Sequence, residues 1–369
     1  HMSCRRQRQM CIRDRGGLRS VPVSATTESI LVVGPSWVGD MVMSQALYMH
    51  LQHARPGVVI DVLAPPWSEP LLARMPQVRN AIPMTVGHGE LGLGRRWRLA
   101  RQLRRHHYDQ AVLLPNSLKS ALLPLFAGIP RRTGWRGEQR YGLLNDLREL
   151  DETALPLMVQ RFVALGQMPG EPLPSPLPVP RLQVDPALVR RCVVQVGIQA
   201  DRPLLALCPG AEFGSAKRWP HEYYAELALR YLGKGWQVAL FGSANDQSVS
   251  RLIHQACDNH PRCHDLAGRT QLAEAVDLIS QATAVVSNDS GLMHIAAALN
   301  RPLVVVYGAT SPGFTPPLSD NVAVVVSDID CAPCFERECP LGHHGCMRYT
   351  PMERVAAELE TLLPQSLPG

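Results

Sequence analysis

An aspartate at the end of a predicted strand is the first residue of this sequence with a candidate chemical role. It closes the segment GPSWVGD at residues 34–40, which lies between a β-branched run and an amphipathic stretch. In a substrate cleft, Asp40 would face an acceptor hydroxyl and accept its proton. The structural alternative is an acid at a helix N-terminus, where it complements the helix dipole. The spacing alone favours neither interpretation.

The glycine spacing of GPSWVGD also fits two nucleotide-binding patterns. A P-loop has the form GxxxxGK[ST], but Asp40 stands where the lysine belongs and would repel phosphates. A dinucleotide-binding turn has the form GxGxxG, but Ser36 occupies the middle position, where the backbone must approach the pyrophosphate. Asp61 lies about where a ribose-binding acid would lie, and it supports the dinucleotide interpretation only weakly.

Two segments of the second half carry residue types that bind anions. Lys217 stands in the loop PGAEFGSAKRWP, just before a predicted helix, where an ammonium group suits a phosphate. Asp289, Ser290 and Gly291 begin another helix, and His294 follows one turn later on the same side. Backbone amides and the helix dipole there predict a diphosphate site. The structural alternatives are an exposed loop lysine and an N-cap at Asp289 or Ser290 beside a buried histidine.

Positive charge is concentrated in the first half, although the 369-residue chain has a net charge of only +5. Between His88 and Arg140 there are eleven Lys and Arg against three acids. Such a patch attracts nucleic acid, anionic lipid or a phosphorylated glycan, while a solvated helix face explains roughly half of its residues. Aromatic residues make up only 5% of the chain, which argues against a stacking platform for nucleic acid.

Composition indicates a cytoplasmic protein with reduced thiols. No apolar run reaches the roughly 18–20 residues of a membrane span, and residues 1–28 carry six Arg without the apolar region of a signal peptide. Ten Cys in such a chain predict free thiols. The spacing C-x2-C-x4-C-x6-C of Cys331, Cys334, Cys339 and Cys346 is compatible with a zinc site, but the favoured expectation is a reduced loop near the cleft and no metal.

The elements that must position these residues alternate between strand and helix, which is the pattern of a parallel sheet. Strand Ile30–Val33 precedes helix Met41–Ala54, and strands Leu204–Leu207 and Ala284–Ser287 precede the two anion-binding segments. We therefore predict an α/β fold of two Rossmann-like domains whose parallel sheets face each other across a cleft. The predicted boundaries are a disordered basic tail at 1–28, a first domain at 29–168, a Pro-rich linker at 169–180, a second domain at 181–349, and a C-terminal helix within 350–369 that packs back on the first domain.

Segments spread from Ile30 to Met347 resemble the lipopolysaccharide heptosyltransferases. The resemblance is carried by ILVVGPSWVGDMVMSQAL, LLPNSLKSALLP, PGAEFGSAKRWP, NDSGLMHIAAALNRPLVVVYGATSPGFTPPL and CAPCFERECPLGHHGCM. It implies a GT-B fold with the donor in the second half and the acceptor in the first. It also implies inversion at the anomeric carbon without a cofactor or an obligatory metal. The GPSWVGD form and the Cys-rich segment favour an enzyme that adds the second heptose over one that adds the first.

The resemblance also assigns roles to residues. Asp40 falls on the general base and Lys217 on a catalytic lysine that binds the donor phosphate, while Asp289, Ser290, Gly291 and His294 fall on the donor loop. The implied donor is ADP-L-glycero-β-D-manno-heptose. The implied acceptor is heptosyl-Kdo2-lipid A, at the inner face of the cytoplasmic membrane, where the enzyme is expected to be peripheral. The residues expected to bind this anionic acceptor are Asn116, Ser117, Lys119, Arg95, Arg98 and Arg101. The alternative is a transferase that adds the first heptose, or another GT-B enzyme with a different sugar nucleotide.

Overall fold

Two parallel β-sheets, one in each half of the chain, form the framework of the computed structural model, which describes residues 27–84 and 92–364. The strands of the first sheet are β1 (Ser29–Val33), β2 (Val59–Ala64), β3 (Val78–Pro83), β4 (Gln110–Leu113), β5 (Arg131–Trp135) and β6 (Asp146–Arg148). Those of the second sheet are β7 (Leu204–Cys208), β8 (Gln237–Leu240), β9 (Cys263–Asp265), β10 (Ala284–Asn288), β11 (Leu303–Tyr307) and β12 (Val322–Val326). The predicted α/β fold with two Rossmann-like domains is confirmed.

Helices connect the strands and cover the sheets. They are α1 (Val38–Ala54), α2 (Glu69–Leu72), α3 (Leu93–Leu103), α4 (Leu118–Phe126), α5 (Met158–Ala164), α6 (Pro186–Val196), α7 (His221–Gly233), α8 (Gln247–Ala256), α9 (Leu272–Ile279), α10 (Gly291–Ala298), α11 (Gly345–Arg348) and α12 (Met352–Leu362). Within the described ranges, no helix has both the length and the apolar character that crossing a bilayer requires.

Both sheets change direction of strand addition at an inner position. The strand orders are β3-β2-β1-β4-β5-β6 and β12-β11-β10-β7-β8-β9, so the changes lie between β1 and β4 and between β7 and β10. Open parallel sheets bind ligands at such points, outside the carboxyl ends of the strands. Asp40 follows β1 and Asn116 follows β4, while Lys217 follows β7 and Asp289 follows β10. The topology therefore brings the predicted site residues to these two points.

The two halves are in direct contact. Helix α1 packs against α10, and α2 packs against α9. A buried ion pair of 2.8 Å joins Arg74 to Asp277, and the amide of Met158 donates to the carbonyl of Phe314 at 2.9 Å. A single apolar cluster contains buried residues of both halves, with Met41 on α1 and Met293 on α10 among them. The sheets are thus held together by apolar contacts as well as by polar ones.

The predicted linker and the predicted basic tail lie outside the two sheets. Residues 169–180 form neither helix nor strand, and Leu173 and Leu177 pack against α5. Most of the predicted basic tail, residues 1–26, lies outside the described residues.

The predicted packing of the C-terminal helix on the first domain is wrong. Helix α12 packs against β11, β12 and α7 of the second half. Its buried face, Val355, Ala356 and Leu359, belongs to the apolar cluster that includes Val304 and Val306 of β11. The valine-rich surface of that sheet is the apolar partner that this helix face covers.

Candidate active site

Asp40 lies in the first turn of α1, directly after β1 and the GPSW turn. The helix has Trp37 as its N-cap, and this side chain does not cap the first amides. In the described part of the chain, no hydrogen bond reaches the Asp40 carboxylate. Burial raises the pKa of Asp40 to about 6, with Lys217 opposing this shift and Asp289 adding to it. Asp40 is therefore a stronger base than an exposed aspartate, and it has oxygens free to accept a proton.

Lys217 is held beside Asp40 by residues of its own half. It ends a short 3₁₀ turn, Ser215–Lys217, that follows β7. Its Nζ atom lies 2.6 Å from Oδ2 of Asp289, and the hydroxyl of Thr310 donates to the same oxygen at 2.5 Å. The ammonium group also lies 4.7 Å from the ring centroid of Phe213. Asp289 was predicted to contact the donor, and the structure shows it as the partner of Lys217.

Helix α10 begins next to this pair with Ser290 as its N-cap. The Ser290 hydroxyl makes no capping bond and lies 3.3 Å from that of Ser287, and no side chain of residues 27–84 or 92–364 occupies the amides that begin at Gly291. Free amides at a helix start bind anions. His294 is buried, and burial lowers its pKa to about 4. His294 is therefore neutral at pH 7 and contributes hydrogen bonding rather than charge.

Two glycines allow the helix starts of the two halves to meet. A Cβ atom on Gly39 would lie 2.5 Å from Cδ2 of His294, and one on Gly291 would lie 2.7 Å from Cβ of Val38. Any larger residue would push α1 and α10 apart. This contact brings Asp40 of the first half to the lysine, aspartate and histidine of the second half. The candidate active site is therefore the junction of the two helix N-termini.

Several residues that the sequence analysis missed hold this site in place. Asn288 accepts hydrogen bonds from the Trp219 amide and the Tyr224 hydroxyl, both at 3.1 Å, and donates to the carbonyl of Pro209 at 2.7 Å. This buried amide side chain joins the ends of β7 and β10. The only sequence signal was its position next to Asp289 and Ser290, and nothing in the spacing indicated its partners.

Arg337, in the Cys-rich segment, is a second missed residue. Its carbonyl accepts a hydrogen bond from the Ala216 amide at 3.1 Å, and a Cβ atom on Gly214 would lie 2.1 Å from that carbonyl oxygen. The guanidinium group lies 5.3 Å from the ring centroid of Phe213, the same ring that Lys217 contacts. The Cys-rich segment therefore packs directly on the turn that carries the lysine.

The predicted acceptor residues Asn116, Ser117 and Lys119 lie in the loop after β4 and the first turn of α4. A buried residue, Arg140, supports this loop, because its guanidinium group donates to the carbonyls of Pro115 (2.8 Å) and Trp135 and to Oδ1 of Asn116 (3.3 Å). Arg140 belonged to the basic patch of the sequence analysis, which did not indicate this structural role.

The three arginines predicted to bind the acceptor, Arg95, Arg98 and Arg101, lie on the exposed face of α3. Arg96, which stands among them in the sequence, is buried and donates to the carbonyl of Lys119 at 3.1 Å. Arg96 therefore joins α3 to α4, whereas its neighbours face solvent. The structure therefore separates a buried arginine of the basic patch from its exposed neighbours, which the sequence spacing did not do.

Asp61 has no free carboxylate for a ribose. It is fully buried and accepts hydrogen bonds from Arg79 (2.6 and 3.0 Å), Tyr108 (2.6 Å) and Asn80 (3.0 Å). All of these partners belong to the first half, so the carboxylate is part of its core. Asp61 therefore does not support the interpretation of the turn after β1 as a dinucleotide-binding turn.

The cysteines of the Cys-rich segment lie together near the lysine turn. A small cavity beside Ala216 is lined by Cys331, Cys334, Cys339 and Cys346 together with His343. Hydrogen bonds from backbone amides, first that of His344, lower the pKa of the Cys339 thiol. Across the described ranges every cysteine is free, and no group of three or more His, Cys, Asp or Glu is placed to hold a metal ion.

Comparisons with known proteins show the family of this chain. Residues 96–344 match the model of a family described as glycosyltransferase family 9 (heptosyltransferase). The chain is 52% identical to lipopolysaccharide heptosyltransferase 2 of Escherichia coli K12, over 91% of this chain and 99% of that protein. It is 27% identical to lipopolysaccharide heptosyltransferase 1 of Pseudomonas aeruginosa PAO1, over 92% and 99%. The solved structure of the E. coli ADP-heptose lps heptosyltransferase II superposes with a TM-score of 0.83 at 50% identity, covering 90% of this chain and 98% of that one.

Proposed function

Because the chain belongs to glycosyltransferase family 9, the heptosyltransferase family, we propose that it transfers a heptose from ADP-L-glycero-β-D-manno-heptose to the first heptose of the lipopolysaccharide inner core. The observation that carries this proposal is 52% identity to lipopolysaccharide heptosyltransferase 2 along nearly its whole length, against 27% to a heptosyltransferase 1. The acceptor in this proposal is heptosyl-Kdo2-lipid A.

Asp40 acts as the general base in this proposal. An inverting displacement needs a base on one face of the anomeric carbon and a stabilised leaving group on the other. Asp40 comes from the first half, Lys217 comes from the second, and their charges interact. With a pKa of about 6 the carboxylate is mostly ionised at neutral pH, and it can accept the proton of the acceptor hydroxyl as the new bond forms.

The second half binds the donor diphosphate. Lys217 is bound to Asp289, the residue before the Ser290 N-cap, so its ammonium group lies near the start of α10, where the helix dipole also favours negative charge. The ion pair of 2.6 Å with Asp289 fixes the ammonium group there, and phosphate oxygens compete for its remaining donors. Neutral His294 is a further hydrogen-bonding group. These groups stabilise the charge that grows on the leaving ADP, so the proposal includes no metal ion and no cofactor.

The first half binds the acceptor. Asn116, Ser117 and Lys119 follow β4 at the same sheet edge as Asp40, within reach of a substrate bound at the point where strand order changes. The exposed arginines Arg95 and Arg98, with Arg101 further along α3, suit the carboxylates and phosphates of Kdo and lipid A. In this proposal the enzyme works in the cytoplasm, bound peripherally to the inner membrane, and nucleic acid is not a partner.

To test this proposal, the protein is incubated with ADP-heptose and with acceptors that carry zero or one heptose. The mass added to each acceptor is then measured. We expect one heptose to be added only to the acceptor that already carries one. Equal or faster transfer to the heptose-free acceptor would make the enzyme a transferase of the first heptose. Transfer from another sugar nucleotide with ADP-heptose inactive would favour a different donor.

A further inference from the structure

Helices α3 and α4 form a paired layer on the outside of the first sheet, which we call the α3/α4 layer. The two helices pack against each other, and their buried residues, among them Leu99, Leu103 and Leu123, belong to one apolar cluster on that sheet. The ring of Trp97 meets the ring of Phe126 edge-on, with 5.6 Å between centroids. These contacts give the outer face of the layer a fixed shape.

The charge of the α3/α4 layer has a single sign. Residues 93–106, which are α3 and the 3₁₀ turn that continues it, contain six Arg and no acid, and residues 118–126 of α4 contain one Lys and no acid. Five of the arginines are exposed, and Arg96 is buried. Like charges this close lie within about one Debye length, roughly 8–10 Å at ordinary salt, and their fields add. Glu138 lies beside the layer, where its carboxylate accepts a hydrogen bond from the Leu118 amide at 2.8 Å, but the five exposed arginines outnumber it and the surface is cationic.

Large apolar side chains project from the same layer. Leu93 is 51% exposed, Trp97 is 47% exposed and Leu118 is 37% exposed. Tryptophan beside arginine is typical of helices that lie in the membrane interface, where the ring sits at headgroup depth and the cations meet lipid phosphates. Leu93 and Trp97 are one helical turn apart, so these two side chains lie on the same side of α3, among its arginines.

The α3/α4 layer also lies close to the candidate active site. Helix α3 follows β3 and α4 follows β4, so Leu93 and Leu118 start their helices at the carboxyl edge of the sheet, the edge that carries Asp40. A lipid surface against the layer would therefore meet the protein next to the acceptor side of the site.

We propose that the α3/α4 layer docks the enzyme on an anionic phospholipid surface, with Leu93, Trp97 and Leu118 entering the interface and Arg104 and Arg105 binding lipid phosphates. This inference rests on the proposed function only in taking the acceptor to be lipid-anchored. Binding to the lipid surface itself requires no donor and no acceptor.

The first experiment measures binding to vesicles by sedimentation, without substrates. The vesicles are phosphatidylcholine alone or phosphatidylcholine mixed with phosphatidylglycerol. The cationic variant is Arg104→Ser with Arg105→Ser, with Arg105→Ser alone as a second variant because Arg104 also donates to the carbonyl of Phe126. The apolar variant is Leu93→Ser with Trp97→Ser. All of them leave Arg95, Arg98 and Arg101 in place.

Matched controls come from exposed positions of the second half. Arg190→Ser with Arg191→Ser removes an adjacent arginine pair from α6, and Leu188→Ser with Leu252→Ser removes two exposed leucines. We expect the wild type and both controls to bind the anionic vesicles and to release them at high salt. The cationic and apolar double variants should bind about tenfold or more weakly. Wild-type binding by both layer variants, or an equal loss in the controls, would overturn the proposal.

The second experiment separates the lipid surface from the acceptor. Turnover is measured on the acylated acceptor in anionic vesicles and on a deacylated, water-soluble acceptor. Docking predicts that the layer variants raise the apparent KM only for the vesicle-borne acceptor. An equal rise on both acceptors would assign these residues to the acceptor's head and overturn docking. If the wild type turned over neither acceptor, the proposed function would fail, while sedimentation would still decide docking.

Discussion

The two sheet edges that meet at the site differ in how firmly their polar groups are held. On the second-half edge, Asp289 is bound by Lys217 at 2.6 Å and by Thr310 at 2.5 Å, and the Asn288 side chain makes four further hydrogen bonds. On the first-half edge, Asp40 accepts no hydrogen bond from the part of the chain that the structure describes. A diphosphate is small and of fixed geometry, so a preorganised set of donors suits it. A base must keep its lone pairs free for the substrate.

The largest expected effect is that of replacing Asp40, on the first-half edge. Asp40→Asn keeps the shape of the side chain but cannot accept a proton, so we expect kcat to fall by roughly 10²–10⁴-fold while ADP-heptose binding stays near normal. Steady-state kinetics and donor titration measure the two quantities.

A helix-terminal role for Asp40 makes a different prediction. Asparagine is itself a good residue at a helix start, so the change would then cost only a few tenths of a kcal/mol of stability. Asp185→Asn, at the N-cap of α6, is the matched control for a helix-terminal acid, with a melting curve for both variants. A variant at position 40 that kept more than about a tenth of wild-type kcat would assign the base to another residue.

The second-largest expected effect is that of replacing Lys217, on the second-half edge. Lys217→Ala should lower kcat/KM by about 2–4 kcal/mol, because the ammonium group meets the diphosphate in the ground state and more charge in the transition state. Lys234→Ala, an exposed lysine of the same half that pairs with Glu360, should behave like the wild type. Wild-type kinetics for the Lys217 variant would exclude this residue from the site.

The pH dependence of kcat/KM should reflect Asp40 on the first-half edge and not His294 on the second-half edge. Burial raises the pKa of Asp40 to about 6, so its ionised form is lost as the pH falls through that value. We expect kcat/KM to decline on the acid side with a midpoint near pH 6, and by about tenfold near pH 5. His294, with its pKa lowered to about 4, stays neutral across this range. The residual activity of Asp40→Asn should lack this decline, and an identical acid limb in that variant would contradict the assignment.

The smallest effect concerns the exposed arginines. Changing Arg95, Arg98 and Arg101 to Ser should raise the acceptor KM by roughly threefold to tenfold and leave the donor KM unchanged, since exposed charges contribute modestly. Added salt should reduce the difference between variant and wild type. The control replaces Arg190, Arg191 and Arg251 of the second half. Weaker donor binding in the α3 variant would contradict the division of substrates between the halves.

The features that the sequence predicted well are local. A β-branched run, a glycine turn and an amphipathic stretch determine a strand, a sharp turn and a helix start, and so they placed Asp40 and Ser290 at helix N-termini. The parallel sheets followed from the alternation of such units. Strands β5 and β6 were missed because RRTGW and DLR are short and polar, without an apolar run to mark them.

The features that the sequence did not predict depend on contacts through space. Asp289 meets Lys217 across 72 positions, and no local pattern indicates that an acid of the donor loop will bind a distant lysine. No local pattern indicates, either, that Arg140 supports the loop after β4. Helix α12 was assigned to the wrong half because its apolar face fits any apolar surface, and only the assembled second sheet shows which one is left uncovered.

The apolar cluster shared by the two halves constrains how the cleft can move. Pulling α1 away from α10 would expose Met41 and Met293 to water, at a cost of roughly 25 cal/mol for each Å² of apolar surface. A rotation about that contact would leave it buried, so it would expose less apolar surface than a separation of the two helices. Asp40 lies in the first turn of α1, next to this contact, where such a rotation displaces it least. Substrates can therefore enter and leave at the outer edges of the sheets while the distance between Asp40 and Lys217 changes little.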